Sequence, residues 1–337
     1  MNKIEKLAPW IDAHVHLQSR EWFKGAIFER KAKTNRRRQA PRKPLSDTEY
    51  RIAALRQQRG EGRGEYGPGI MEQGRRFVDQ MDEAGIDTAV LYAMDFDYTG
   101  EKLRVDHWHQ LVQLKGVVDA YPGRFLLCAA IDPRRGKEGI ALLRRSVEEL
   151  GVIGMGEFAP HFFGFAPNDR EHCYPIYETC SELGIPIGPN CSIIGSSHNS
   201  RFCHPLYFED VANDFPNLNI ALTSGGAPHW TEEAICLCGA KHNMFMDIGD
   251  WQSDMFVDPT ANVLAVVRRM LDTPARHKIM FGSDFPVYAS DWSERAWVEV
   301  FTTKGAEYGI SFTEEELNLF FSDNAQEFLD MDIVFPV

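Results

Sequence analysis

From Asp82 onward, short apolar or β-branched runs alternate with longer amphipathic stretches. This is the pattern of repeated βα units around a parallel sheet. The strand-like runs are Ile11–His16, Thr88–Met94, Phe125–Ile131, Ile153–Phe158, Ile185–Asn190, Asn219–Ser224, Asn243–Ile248 and Lys278–Ser283, and their number fits one closed (β/α)8 TIM barrel of the α/β class. Helices are expected between them over Arg104–Ala120, Gly139–Leu150, Tyr174–Leu183, Pro205–Asp214, Thr231–Lys241 and Thr260–Leu271. The runs end in polar residues: His16, Asp95, Asp132, Glu157, Asn190, Ser224, Asp250 and Asp284. In such barrels the chemistry sits where strands run out at the C-terminal face, so this repetition marks a candidate site.

One stretch breaks the rhythm. Residues 17–74, between the first and second strands, exceed an ordinary βα loop and read as an insertion within a single barrel spanning 1–337. The insertion carries Arg30, Lys31, Lys33, Arg36, Arg37, Arg38, Arg42 and Lys43, then the glycine-rich run Gly60–Gly69. It is either a solvated excursion or a lid that brings a cation to an anionic substrate.

Composition narrows the function classes. The chain has 337 residues, is 44% hydrophobic and 25% charged, and carries a net charge of −13. That is enough apolar content for a sizeable core. The negative charge disfavours a nucleic-acid partner. No stretch approaches the roughly 18 apolar residues of a membrane span, so no membrane role and a cytoplasmic location are expected. The seven cysteines lack zinc-ribbon or disulfide-scaffold spacing and read as reduced, mostly buried thiols. A small molecule is the expected partner, and homo-oligomerisation stays open.

His14 and His16 flank Val15 on the first strand, where a period of two puts both imidazoles on one face. Two neutral imidazoles on an inward barrel face can chelate a divalent transition metal, although such a pair also arises from ordinary core hydrogen bonding. Asp284, after the apolar Phe281 run and before Pro286, would add a carboxylate at the mouth, or else serve as a turn or helix-cap residue. Barrel closure makes the set meaningful, because the eighth strand pairs with the first.

His14-Val15-His16 and Ser283-Asp284-Phe285-Pro286 resemble the first and last signatures of the amidohydrolase superfamily. The nearest branch is the amidohydrolase-2 type, which includes aminocarboxymuconate semialdehyde decarboxylase, resorcylate-type decarboxylases and small-acid hydrolases or lactonases. Met81–Asp87, Gly164–Asp169, and His204-Pro205-Leu206-Tyr207 running to Asp214-Phe215-Pro216 are similar to that branch as well. The resemblance implies a metal-binding histidine at the fifth strand end and a catalytic histidine at the sixth. Those positions hold Asn190 and Ser224. An amide is a weak metal ligand and a serine is no general base near neutral pH without help, so the branch's mechanism does not transfer directly.

Replacement groups are available. Glu157 stands at the fourth strand end, where some superfamily members place a carboxylate bridging two metals, and it could equally orient a ligand or pair with an arginine. His161, His198 and His229 are further candidate ligands, or surface and hydrogen-bonding histidines. The catalytic candidates are therefore Glu157, Asp284 and Ser224. The metal candidates are His14, His16, Glu157 and Asp284, with His161, His198 and His229 in reserve. Asn190, Phe162 and Trp230 are the substrate-binding candidates, the last two from an aromatic group with Phe158, Phe163, Phe165 and Trp251 that could wall an apolar pocket. Asp95, Asp97, Asp132 and Asp250 read as turn or mouth residues.

Three functions compete. The first is a metal-dependent hydrolase or decarboxylase of a small organic acid, lactone or amide, with one or two ions of zinc, manganese or iron. The second is a non-haem (di)iron oxygenase acting on an apolar substrate, for which a mixed histidine and carboxylate site is suited. The third is a non-catalytic member that binds a ligand.

Overall fold

The computed structural model describes residues 6–24, 69–193, 199–253, 258–289 and 291–333. Its order is β1 (Ile11–Val15), α1 (Ile70–Ala84), β2 (Thr88–Tyr92), α2 (His107–Ala120), β3 (Phe125–Ala129), α3 (Lys137–Leu150), β4 (Gly154–Phe158), α4 (Pro160–Phe163), α5 (Tyr174–Leu183), β5 (Ile187–Pro189), α6 (Tyr207–Asp214), β6 (Ile220–Leu222), α7 (Thr231–Ala240), β7 (Met244–Asp247), α8 (Pro259–Leu271), β8 (Ile279–Met280), α9 (Glu294–Thr302), α10 (Glu314–Asn318) and α11 (Asn324–Leu329). The eight strands pair in chain order, every ladder parallel. The chain beyond β8 closes the ring on β1: the Ala13 amide donates to the Phe281 carbonyl at 2.9 Å, the Asp284 amide to the His14 carbonyl at 2.9 Å, and the His16 amide to the Phe285 carbonyl at 2.6 Å. The TIM barrel expected from the strand rhythm is therefore present.

Local chemistry explains the element boundaries. The helix expected from Arg104 begins at His107, because Asp106 caps it by accepting the His109 amide at 3.0 Å. Helix α1 buries Ile70, Gly74, Phe77, Val78 and Met81, a stripe at helical spacing, and ends at Gly85 in the left-handed conformation (φ 79°). Gly74 lets α1 approach α2, since a Cβ there would lie 2.5 Å from Val117 Cγ1. Residues 70–74, assigned from sequence to the insertion, are thus the first turn of α1. At the other end of that segment, Phe23 bridges to Leu103 and the Lys24 amide donates to the Lys102 carbonyl at 2.7 Å. The basic cluster from Arg30 to Lys43 and most of the glycine run lie outside the described residues.

Aromatic packing on the outside of the barrel fixes the β8 tail that carries Asp284. Phe77 of α1 stacks on Phe285 at 4.2 Å, and Trp297 of α9 donates its indole N–H to the Gly282 carbonyl at 3.1 Å. All seven cysteines are free thiols and only Cys236 is exposed, as the spacing implied.

Candidate metal centre

His14 and His16 project to the same rim and meet. Their Nε2 atoms are 3.1 Å apart, and Asp284 Oδ1 lies 3.7 Å from the first and 3.5 Å from the second. Glu157 Oε2 approaches His16 Nε2 at 3.4 Å. Among the described residues, His14, His16 and Asp284 form the group whose ligand-type atoms all fall within 4.8 Å of one another, and Glu157 adjoins it through His16.

The other ring nitrogens decide what these atoms are. His16 Nδ1 sits 2.8 Å from the Tyr92 carbonyl, which can only accept, so Nδ1 carries the proton and Nε2 a lone pair. His14 Nδ1 faces Asp247 Oδ1 at 3.2 Å, and the same reasoning puts a proton on that nitrogen, leaving a lone pair on Nε2 whenever the ring is neutral. Two lone pairs and two carboxylates then point at one another in a buried space. Only a proton or a cation resolves that arrangement, and two nitrogens with two oxygens suit zinc, manganese or iron. The donor set fits a divalent transition metal.

Without an ion the strain appears in the pKa values. Burial pulls His14 down, but Asp247, Asp284 and Glu157 outweigh it and hold His14 up at about 10. Burial and the neighbouring His14 push His16 down to about 3. Burial raises Glu157 above the usual carboxylate range, and it raises Asp284 further.

Several supporting residues escaped the sequence reading. Asp247 is fully buried, and its Oδ1 accepts from His14 Nδ1, the Ser224 amide at 2.8 Å and the Gly249 amide at 2.8 Å. The available signal was an acid inside the apolar run Met244–Ile248, which must be paired if the run is a buried strand. Gly249 lets the following loop pass against the ring, since a Cβ there would be 2.6 Å from His14 Nδ1. Asp250 receives the Tyr288 hydroxyl and is electrostatically felt by both Asp284 and Glu157. Three non-glycine residues at the rim, Ser224, Asp250 and Asp284, have φ of 64°, 63° and 53°. Such left-handed conformations cost roughly 1 kcal/mol or more each and collect where a site demands them.

The remaining candidates separate. Asn190, at the end of β5, donates its amide to Glu157 Oε1 at 2.5 Å. Ser224 gives its amide to Asp247, and its carbonyl accepts the Trp251 indole N–H at 3.2 Å. His161 is buried, but its Nδ1 faces Cys203 Sγ at 3.5 Å, outside the ligand group. His229 is exposed, and Trp230 packs against His204 at 5.0 Å. His198 lies outside the described residues. Phe162 and Phe163 line a narrow depression with Met94, Asp95, Ile131, Asp132, Ala159 and Glu157. The arginine pairing considered for Glu157 occurs at its neighbours instead: Asp95 binds Arg135 at 2.6 Å and Asp132 binds Arg134 at 2.5 Å.

Comparison with known proteins agrees with this geometry. A family model described as amidohydrolase, of the amidohydrolase-2 branch, matches residues 11–331. The chain belongs to that family. Its fold is similar to a TIM-barrel protein from Bordetella bronchiseptica (TM-score 0.65, 17% identity, covering 96% of this chain and 98% of that one). It is also similar to a 5-carboxyvanillate decarboxylase from Novosphingobium aromaticivorans complexed with manganese and 4-hydroxy-3-methoxy-5-nitrobenzoic acid (TM-score 0.60, 14% identity, 98% and 99% covered). A third similar structure is a probable 2-pyrone-4,6-dicarboxylic acid hydrolase from Acinetobacter baumannii with citric acid bound (TM-score 0.58, 13% identity, 96% and 99% covered). No curated protein matches the amidohydrolase chain by sequence. Among the described residues, no helix is long and apolar enough to cross a membrane.

Proposed function

We propose that this amidohydrolase-family chain is a metal-dependent hydrolase or decarboxylase of a small organic acid, lactone or amide, with His14, His16 and Asp284 holding a divalent ion and Glu157 standing against it. The observation that carries the reading is the pair of Nε2 atoms 3.1 Å apart with two carboxylates beside them. When bound, the ion supplies Lewis-acid polarisation of a carbonyl or carboxyl oxygen, or a more acidic water. Asp247 and the Tyr92 carbonyl orient the imidazoles and set their tautomers.

Glu157 takes the part left open by the absence of histidine at Asn190 and Ser224. Its Oε1 is held by Asn190 while Oε2 faces the site, and burial raises its pKa above the ordinary glutamate value. The depression beside it has Phe162, Phe163, Ile131 and Met94 as apolar lining, and its two aspartates are neutralised by arginines. That apolar lining also favours the second reading, a non-haem iron oxygenase of an apolar substrate.

Metal analysis separates the readings. The protein purified without chelator, beside a His14→Ala, His16→Ala variant, is assayed for zinc, manganese and iron and tested on hydroxylated benzoates and pyrone carboxylates. About one equivalent of zinc or manganese, lost in the variant, with CO2 release or ring opening, is the expected result. Iron near two equivalents with oxygen uptake would move the function to the oxygenase. No metal in either protein would sink both and leave a ligand-binding barrel.

A further inference from the structure

Two glycines lie against the His14–Asp247 pair, Gly249 in the loop after β7 and Gly282 in the tail after β8. Neither has the positive φ that favours glycine, so backbone conformation does not account for them. The space they leave does. A Cβ on Gly249 would lie 2.6 Å from His14 Nδ1 and 3.1 Å from both His14 Cε1 and Asp247 Oδ1. A Cβ on Gly282 would lie 3.0 Å from His14 Cβ, 3.3 Å from Asp247 Cβ and 3.4 Å from Asp247 Cγ. Two separate strand ends thus present the same imidazole and carboxylate with a residue that has no side chain, Gly249 over the Nδ1 to Oδ1 contact and Gly282 over the two Cβ atoms.

Little around the pair is free to move aside. The β1 backbone is held on either side of Gly282, by the Ala13 amide on the Phe281 carbonyl and by the Asp284 amide on the His14 carbonyl, each at 2.9 Å. Gly282 is itself held, its carbonyl accepting the Trp297 indole N–H at 3.1 Å. Asp247 Oδ1 accepts the Ser224 and Gly249 amides at 2.8 Å, so the carboxylate and the Gly249 loop are tied together. In a close-packed interior an added methyl group must displace something, and the softest coordinate left is rotation of the His14 side chain. That rotation swings Nε2, which stands 3.1 Å from His16 Nε2 and 3.7 Å from Asp284 Oδ1.

We propose that Gly249 and Gly282 are positioning residues of the metal centre: they form a slot that fixes the plane of the His14 ring on Asp247 and so aims its Nε2 at His16 and Asp284. A side chain at either position turns the ring out of that plane. The proposal rests on the metal reading above, and its test keeps the two apart.

Full-length wild type, G249A, G282A and G74A are stripped with chelator and titrated with manganese against a fluorescent chelator, with the melting temperature of each metal-free form recorded in parallel. Gly74 supplies the control, because the same substitution puts a Cβ 2.5 Å from Val117 Cγ1, between α1 and α2 and away from the slot. G249A is expected to weaken binding about 10- to 100-fold, the range seen for groups that orient metal ligands. G282A, whose nearest approach is 3.0 Å rather than 2.6 Å, is expected to lose about three- to tenfold, and it decides the matter if G249A does not fold. G74A is expected to melt lower with unchanged affinity. Cobalt(II) loaded in place of manganese gives a second readout, since its visible absorption follows the geometry of its ligands. The spectrum is expected to change in G249A and G282A and to match wild type in G74A. Wild-type affinity in either slot variant, an equal loss in G74A, or an unaltered cobalt spectrum in the slot variants would overturn the positioning role alone. Wild type that takes up no manganese, zinc, iron or cobalt would overturn the metal reading and this role with it.

Discussion

Replacing Asp247 with Asn tests whether this carboxylate governs the metal centre through His14. Asp247 Oδ1 holds three donors, His14 Nδ1–H at 3.2 Å and the Ser224 and Gly249 amides at 2.8 Å. An Asn Oδ1 can keep all three, so the variant removes charge rather than contacts. The bond to His14 falls from a charge-assisted one, about 1.5–3 kcal/mol, to a neutral one, about 0.5–1.5 kcal/mol. That difference of roughly 1–1.5 kcal/mol is about tenfold in Kd. A further loss follows if the Asn amide group turns toward His14 and forces the wrong tautomer, for a total of about 10- to 100-fold. Stability also falls, because Oδ2 has no partner in the wild type and becomes an N–H2 group in the same fully buried place, costing about 1–3 kcal/mol. Competition titration with a chelator gives the affinity, and melting in excess chelator gives the stability of the metal-free protein. An affinity within twofold of wild type would refute the orienting role of Asp247.

Metal affinity should rise with pH. His14 is held up at about 10 in the ion-free molecule, so it is protonated at neutral pH and an incoming cation must expel that proton. The apparent affinity should then increase about tenfold per pH unit between roughly 6.5 and 8.5, and a flat profile measured by the same titration would contradict the proton count. In N190L the amide that steadies ionised Glu157 is gone, so the Glu157 pKa should move further up, carrying the corresponding limb of the pH–rate profile to higher pH with metal content retained. An unmoved limb would remove Glu157 from proton transfer. G74V should destabilise the protein by about 1–3 kcal/mol without touching metal affinity, since its Cβ would press on Val117 between α1 and α2; an unchanged melting curve would show that this contact gives way freely.

The rhythm of apolar runs and their polar ends was sufficient to place eight strands in order and to set His14, His16, Glu157 and Asp284 at one rim. This worked because strand periodicity and barrel topology are dictated locally, by which residues must be buried and by the handedness of βα units. The same local information placed the cysteines correctly as free thiols.

What the sequence could not decide was which polar groups spend their hydrogen bonds on one another. The amide of Asn190 lies on Glu157, and Glu157 looked available to an arginine until Arg134 and Arg135 were found on Asp132 and Asp95. His161 and His229 have the chemistry of ligands, yet one is turned to Cys203 and the other to the surface. Asp247 and Asp12 drew no attention as isolated letters, because a buried acid is informative only when its partners are known. Those partners lie hundreds of residues apart along the chain, as Asp12 and Ser283 do at a separation of 271. Strand order is written in local periodicity, whereas the pairing of buried charges depends on distances across the closed barrel, which only the tertiary structure brings within hydrogen-bond reach.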